Sequence, residues 1–359
     1  MSGPGHSREQ RFIRIISGEA RGVAPALARV ALAAVEPVYH AFTAARNSLF
    51  DWGWKRAHRL DRPVISVGNL TTGGTGKTPV VAGLARRLVG LGLRPAVLTR
   101  GYRRSGAAIS DEAEALREAL GPGVPVLVDP DRVACACRAL ATDPGIDVFL
   151  MDDGFQHRRL ARDFDLVLVD ATNPFGFGRV LPRGLLRESI SGLRRASAIL
   201  LTRADLVSAE QVAGCLDRMT RVSPTTPIFR SSHALAELRA VRGATPDKAS
   251  PALVVSGLAN PAAFEDMLRR SGLVLADALR FADHHAYATP DIDTITRAAR
   301  AGGAAWIVTT TKDWVKLRPL ADRLETPIAV AELTLRFHGD DFARLMELIE
   351  SRVAGTGGA

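Results

Sequence analysis

Cysteine is scarce in these 359 residues, with only Cys135, Cys137 and Cys215. An odd, sparse set excludes a disulfide framework and suits a reducing compartment. Cys135 and Cys137 lie one residue apart in a helix-like stretch, which turns them to different faces. They read as small buried residues and not as a metal pair. Aromatic residues make up 6% of the chain, and none interleave with basic residues as a base-stacking platform would require. That argues against a nucleic-acid partner. No run reaches the ~18 uncharged apolar residues of a membrane-spanning helix. The nearest, from Gly22 to Leu49, is broken by Arg29, Glu36, Pro37 and Arg46. It starts too late for a signal peptide and leads into further basic sequence. The chain also lacks internal repeats and low-complexity blocks.

What is present begins with charge. The formal net charge is +9, and residues 1–62 hold ten basic against five acidic residues. Such a basic end points to an anionic surface nearby. The interrupted apolar stretch, with Trp52 and Trp54 close behind, reads as one or two amphipathic helices at a membrane interface. An ordinary packing helix is the alternative. The hydrophobic fraction of 47% supports a folded chain, with only residues 1–10 and the tail 355–359 loose.

The length suits two α/β domains. Strands near 63–67, 94–99, 124–128, 148–151, 166–169 and 198–201 alternate with helices near 78–89, 111–119 and 132–141. That alternation predicts a parallel sheet with helices on both faces. The stretch near 222–250 is richer in Pro, Ser and Thr and marks a boundary. Beyond it, strands near 252–256 and 305–309 and helices near 264–271 and 292–301 predict a second, smaller α/β domain. The expected division is a membrane-associating segment over 1–62, a P-loop domain over 63–228, the smaller domain over 229–340, and a helix with a loose tail over 341–359.

Chemistry concentrates at strand ends. Gly73-Gly74-Thr75-Gly76-Lys77-Thr78 lies between a strand and a helix, the context that marks a phosphate-binding loop and makes the fold P-loop NTPase-like. Its glycines let backbone N–H groups turn toward phosphate, Lys77 can reach the β- and γ-phosphates, and the Thr78 hydroxyl can ligate Mg²⁺. The usual first glycine is Thr71 here, so the nucleotide contacts are expected over Thr71, Thr72, Gly73, Gly74, Thr75, Gly76, Lys77 and Thr78. Asp152-Asp153 end a buried strand, where such enzymes hold their metal shell, and Asp170 competes for that place. Asp111-Glu112 open a helix, where helix capping is the simpler reading. Asp283-His284-His285 could supply an oriented base, although loop histidines are usually just solvated. Arginines, among them Arg100, Arg103, Arg104, Arg158, Arg159, Arg179, Arg183 and Arg187, follow several strand ends and suit phosphate.

Two other classes compete with an ATP-dependent kinase. A GTPase or metallochaperone would use the same loop, and Thr202-Arg203-Ala204-Asp205 loosely matches a guanine-reading motif. Its first two positions are wrong for that motif, and the residue three before Gly154 is Met151 where a switch aspartate would stand. A non-catalytic ATP-binding scaffold at the membrane is the other, and it would not need the acidic groups.

Taken together, several blocks resemble the tetraacyldisaccharide 4'-kinases, the lipid A 4'-kinases. They are Val67-Gly68-Asn69-Leu70 running into Gly73 to Pro79, Thr99-Arg100-Gly101-Tyr102, Asp152-Asp153-Gly154-Phe155-Gln156-His157-Arg158, Leu181 to Glu188, Phe281 to Tyr287, and Thr309 to Asp313. The resemblance implies phosphorylation of the 4'-hydroxyl of a lipid A disaccharide 1-phosphate, with ATP and Mg²⁺ as cofactors. It implies a peripheral or monotopic protein at the cytoplasmic face of the inner membrane. It implies that Asp111 and His284 handle the hydroxyl proton, with Lys77 and Asp153 also catalytic. Ser110 and Ala113 depart from the glycine and proline that usually flank the aspartate. Thr78, Asp152, Asp153 and Glu188 are the implied metal ligands. Asn69, Arg100, Gln156, His157 and Arg187 are the expected acceptor contacts, and the expected partners are the glycolipid and an anionic membrane, without nucleic acid, for a monomer.

Overall fold

The computed structural model describes residues 8–73, 75–101, 111–244, 247–258, 260–282 and 285–354. The chain opens with α1 (Arg8–Ser17) and α2 (Val23–Asp51), followed by β1 (Val64–Asn69), α3 (Lys77–Gly90), β2 (Pro95–Thr99), α4 (Asp111–Leu120), β3 (Val126–Val128), α5 (Arg132–Thr142), β4 (Val148–Asp152) and β5 (Phe164–Asp170). Then come β6 (Ala198–Thr202), α6 (Ala209–Val222), β7 (Ile228–Arg242), β8 (Ala252–Ser256), α7 (Pro261–Arg270), β9 (Leu275–Arg280), α8 (Thr289–Ala301), β10 (Trp306–Thr310), α9 (Thr311–Leu317), β11 (Ile328–Phe337) and α10 (Asp341–Ala354). Two compact units result. The first takes Met1–Lys77, Ala136–Ser231 and Phe337–Ala359, and the second takes Thr78–Cys135 and Ser232–Arg336.

In the first unit, strands run parallel in the order β4-β1-β5-β6-β7, with Val64 beside Phe149, Ile65 beside Phe164 and Leu166 beside Ala198. Every residue of β1, β4, β5 and β6 is buried, so these strands read as continuous apolar runs and not as alternating ones. Val167, Val169, Ile199 and Leu201 face one core, which Phe155, Leu186, Leu193 and Met219 complete. The N-terminus of α6 is fixed by a capping box between Ser208 and Gln211. Because the strands are parallel, their polar ends Asn69, Asp152, Asp170 and Thr202 share one sheet edge, where open α/β sheets bind ligands.

The second unit carries a parallel β2–β3 pair and a parallel set in the order β11-β10-β8-β9. Its strands alternate between two cores: Leu253, Val255 and Ile307 pack with residues of α8 and α9, while Ala252, Val254 and Trp306 pack with residues of α7. Asp313 is fully buried and satisfied. It accepts from the Gly257 N–H at 3.0 Å, the Thr310 hydroxyl at 2.7 Å and the Tyr287 hydroxyl at 3.2 Å. Burial, and then the neighbouring Asp313 charge, push the Tyr287 phenol up from its ordinary value. His285 stacks on Phe281 and pairs with Asp291 at 2.9 Å.

The N-terminal segment forms two helices. Val23, Leu27, Val30, Val35, Val38 and Phe42 follow a helical spacing along α2 and are all exposed, as are Trp52 and Trp54. Among the described residues, no helix is long and apolar enough to cross a membrane. Three details differ from the sequence reading. Cys137 is exposed, 3.7 Å from the His58 ring, while Cys135 and Cys215 are buried. The stretch near 222–250 contains the long strand β7, hidden because its burial follows no strict alternation. β9 and β11 were not anticipated, since β9 is only half-buried and carries Asp277 and Arg280, and β11 leaves the core after Ala331.

One glycine of β1 gives a direct test of packing. A Cβ on Gly68 would sit 2.6 Å from the Phe155 Cβ and 2.7 Å from its backbone nitrogen, whereas one on Gly90 would meet nothing within 4 Å. Gly68→Ala should lower the unfolding free energy in urea by about 1–3 kcal/mol through overpacking. Gly90→Ala should leave it within about 0.5 kcal/mol.

Candidate active site

The glycine loop is braced from two sides. After β1 ends at Asn69, the chain runs antiparallel to residues 185–187. Thr72 N–H donates to the Leu185 carbonyl at 2.8 Å, and Arg187 N–H donates to the Leu70 carbonyl at 2.7 Å. On the other side the Thr202 hydroxyl donates to the Thr75 carbonyl at 3.2 Å. Gly73 and Gly76 have φ of +106° and +82°, a conformation open to glycine and strained for other residues. α3 begins directly at Lys77. Thr71 and Thr75 are buried within the loop, and Thr72 and Thr78 are half-buried. Gly74 lies outside the described residues.

Asn69 is fully buried, and both ends of its amide are used. Its Nδ2 donates to the Thr71 carbonyl at 2.8 Å, and its Oδ1 accepts from Lys77 Nζ at 3.2 Å. Where the sequence reading placed an acceptor contact, the structure places a residue that braces the loop and aims its lysine.

At the end of β4, Asp152 is buried and Asp153 turns into the left-handed region with φ +49°. The Asp153 carboxylate takes both of its oxygens to Arg187 Nη1 at 2.8 Å, and Oδ1 lies 3.5 Å from Lys77 Nζ. Two cations thus converge on one carboxylate beside a glycine loop. Gln156 ties this cluster to the layer beneath. Its Nε2 donates to the Asn69 carbonyl at 2.9 Å and to Glu188 Oε1 at 3.1 Å, and its Oε1 accepts from Arg187 at 3.3 Å. Glu188 is buried. Its Oε2 also accepts from Asn47 Nδ2 and Arg195 Nη2, each at 2.7 Å. Arg195 lies over the Phe155 ring, 4.7 Å from its centre.

The turn that carries Gln156 and His157 is held from below. Arg162 donates to the His157 carbonyl at 3.2 Å and to Asp165 at 3.1 Å. Burial pushes the Asp165 carboxyl up from its ordinary value, with Arg162 opposing. His157 is half-buried beside Arg158 and Arg159. Asp170, the rival to the Asp152-Asp153 pair, is occupied by the Thr172 N–H and hydroxyl and by Arg203. Thr202 and Arg203, half of the supposed guanine-reading motif, are thereby spent on bracing the loop and the β5 end.

Other expected residues are placed separately. Arg100 is exposed at the end of β2, and Asp111 is the first residue of α4, both in the second unit. Asp283 and His284 lie outside the described residues, as do Arg103 and Arg104. Asp152 and Asp153 offer hard oxygen donors of the kind a divalent cation shares with nucleotide phosphates. Among the described residues no group of three or more His, Cys, Asp or Glu forms a protein-only metal cage. Glu188, the other expected metal ligand, accepts from three donors on its two oxygens.

Sequence reasoning missed Asn47, Arg195 and Tyr39, whose hydroxyl donates to the Arg187 carbonyl at 3.1 Å. The one available signal was the Arg46-Asn47 pair near the end of an interrupted apolar stretch. Nothing in the sequence marks Arg195.

The chain is similar to proteins of one family. A family model described as tetraacyldisaccharide-1-P 4'-kinase matches residues 28–353. The tetraacyldisaccharide 4'-kinase of Anaeromyxobacter dehalogenans (strain 2CP-C) is 39% identical over 345 residues, covering 88% of this chain and 89% of that one. That of Geobacter sulfurreducens is 38% identical, covering 90% and 94%. Among solved structures, the LpxK of Aquifex aeolicus, an "apo" form in complex with ATP, superposes with a TM-score of 0.67 at 26% identity, covering 90% of this chain and 99% of that chain.

Glu188 permits a test that separates bracing from metal binding. A carboxylate only accepts, whereas glutamine must point an NH₂ group at one of the three donors. Glu188→Gln should lower the unfolding free energy by about 1–3 kcal/mol, measured by urea titration without nucleotide or metal. Unchanged stability together with a raised Mg²⁺ requirement would assign Glu188 to the metal instead.

Proposed function

We infer, for a chain that belongs to the tetraacyldisaccharide 4'-kinase family, that its glycine loop and carboxylate turn carry the family's phosphoryl transfer. The protein is a lipid A 4'-kinase, a phosphotransferase with an alcohol group as acceptor. In the proposed reaction ATP is the donor and the 4'-hydroxyl of lipid A disaccharide 1-phosphate is the acceptor. The observation that carries the reading is the meeting of Lys77 and Arg187 on Asp153 beside the braced loop.

The chemistry asks mainly for alignment and charge neutralisation. Residues 71–78 would wrap the phosphates with backbone N–H groups, and Lys77 would exchange Asp153 for the β- and γ-phosphate oxygens. Asn69 limits that movement, because it holds the ammonium at the loop. Arg187 would remain beside Asp153 and add charge where the transferred group develops it. Thr78, Asp152 and Asp153 are the proposed holders of Mg²⁺, which when bound neutralises phosphate charge; Glu188 would act behind them through Gln156. Asp111 and His284 are the proposed acceptors of the hydroxyl proton, and Arg100, Gln156 and His157 the proposed sugar contacts.

The proposed setting is the cytoplasmic face of the inner membrane, with a peripheral or monotopic monomer. What supports it is the exposed apolar face of α2, followed by Trp52 and Trp54, within a basic segment. In this reading 1–62 docks on the membrane, 63–228 handles nucleotide, and 229–340 is the smaller domain, followed by the terminal helix.

Incubation with γ-labelled ATP and lipid A disaccharide 1-phosphate should give a doubly phosphorylated product. Displacement of ATP by GTP, with no such product, would favour the GTPase class instead. Lys77→Ala should lower turnover by about 10²–10³-fold while vesicle binding persists. Asp111→Ala should lower turnover by about 10²–10⁴-fold with ATP affinity nearly unchanged; a loss confined to ATP affinity would remove it from the proton-transfer step.

A further inference from the structure

A second cluster of cations in the first unit plays no part in the reaction as described so far. A pocket of about 460 Å³ opens between the C-terminal end of α2, the segment after Trp54 and the turn after Phe155. Arg46, Lys55, Arg56, Arg158 and Arg159 line it together with His157, and no carboxylate does. Arg158 is already matched, since it donates to Asp51 at 2.7 Å and to the Asn47 carbonyl at 2.8 Å and covers the Phe50 ring. Arg46 is matched less well: among the described residues its Nε is buried without a hydrogen-bond acceptor, and its Nη2 lies 3.4 Å from Asn47 Oδ1. Lys55 and Arg56 are exposed at the rim.

Like charges gathered in one concave, partly desolvated space repel one another unless an anion joins them. Several guanidinium groups suit a phosphate, whose tetrahedral oxygens they can bridge with paired N–H donors. Two features locate that phosphate on a membrane lipid. The pocket's Lys55 follows directly on the exposed Trp52 and Trp54 in the chain, which belong at headgroup depth if α2 lies on a membrane. Gln156 lines the pocket and is also the residue that touches Arg187 and Glu188 behind the reacting centre.

We propose that this pocket holds the phosphate the glycolipid acceptor already carries, the 1-phosphate, while the hydroxyl to be phosphorylated lies toward Asp153. The assignment rests on the kinase reading above. The pocket would thereby orient the disaccharide, recognising one end by charge so that the other meets the nucleotide. Arg46 is its inner anchor, and Lys55 and Arg56 form its rim.

The test compares the acceptor with and without its 1-phosphate, in neutral detergent micelles and in vesicles containing phosphatidylglycerol. Wild-type protein should bind the phosphorylated acceptor more tightly in neutral micelles, measured by calorimetry without ATP. Arg46→Gln/Arg56→Gln should raise KM for that acceptor about tenfold or more with kcat little changed, and should leave the dephosphorylated acceptor unaffected. Lys55→Gln/Arg56→Gln, at exposed positions, should show the same selectivity more weakly and guards against a folding defect in the first variant. Equal losses on both acceptors, or no loss on either, overturn the proposal. An effect seen only in the anionic vesicles, and equally for both acceptors, also overturns it by assigning the pocket to surrounding phospholipid. Phosphate-dependent binding without any transfer would sustain the pocket and refute the kinase reading.

Discussion

The first unit is organised around one unfavourable fact: a lysine ammonium must be held half-buried at the mouth of a glycine loop. Lys77 is tolerated there because Asn69 supplies an oxygen at 3.2 Å and Asp153 a carboxylate at 3.5 Å. Asp153 in turn needs its left-handed turn at the end of β4 and its contact with Arg187. Arg187 belongs to the strap that runs antiparallel to the loop. Removing any one of these leaves a charge or a polar end without compensation, so the group behaves as a unit.

The same logic links α2 to the reacting centre. Its outer face is apolar and exposed, yet Tyr39, Asn47 and Asp51 on its inner side reach the strap, Glu188 and Arg158. Glu36 adds a bond to the Val180 N–H at 3.1 Å. A helix held by so many polar contacts is part of the unit's framework. Asn47 joins the helix to Glu188, which Gln156 also contacts.

In the second unit the structure explains a block that the sequence reading left with little chemistry. Asp313, from the Thr309-Thr310-Thr311-Lys312-Asp313 run, gathers the Gly257 N–H, the Thr310 hydroxyl and the Tyr287 hydroxyl. It locks the start of α9 to the segment that follows β9. Tyr287 and His285 then fix the residues flanking the Asp283-His284 pair.

Much was legible from the chain alone because short-range rules govern it. A glycine run between an apolar strand and a helix has one common use, and Gly73 and Gly76 do lie between β1 and Lys77, the first residue of α3. Buried parallel strands announce themselves as uninterrupted apolar runs, so β1, β4, β5 and β6 were visible, whereas the half-buried β7, β9 and β11 carried weaker patterns. The ordered blocks from Val67 to Asp313 sufficed to name the family. Tertiary structure alone decided which polar residues meet. It set Asn69 between Thr71 and Lys77, and it gave Glu188 the donors Asn47, Gln156 and Arg195. Asn47, Arg195 and the basic pocket at Arg46 entered unannounced. Their partners lie as much as 141 positions away in the chain, as from Asn47 to Glu188. Periodicity and spacing report only on neighbours, and the pairing of distant charges is settled when the strands that carry them come into register.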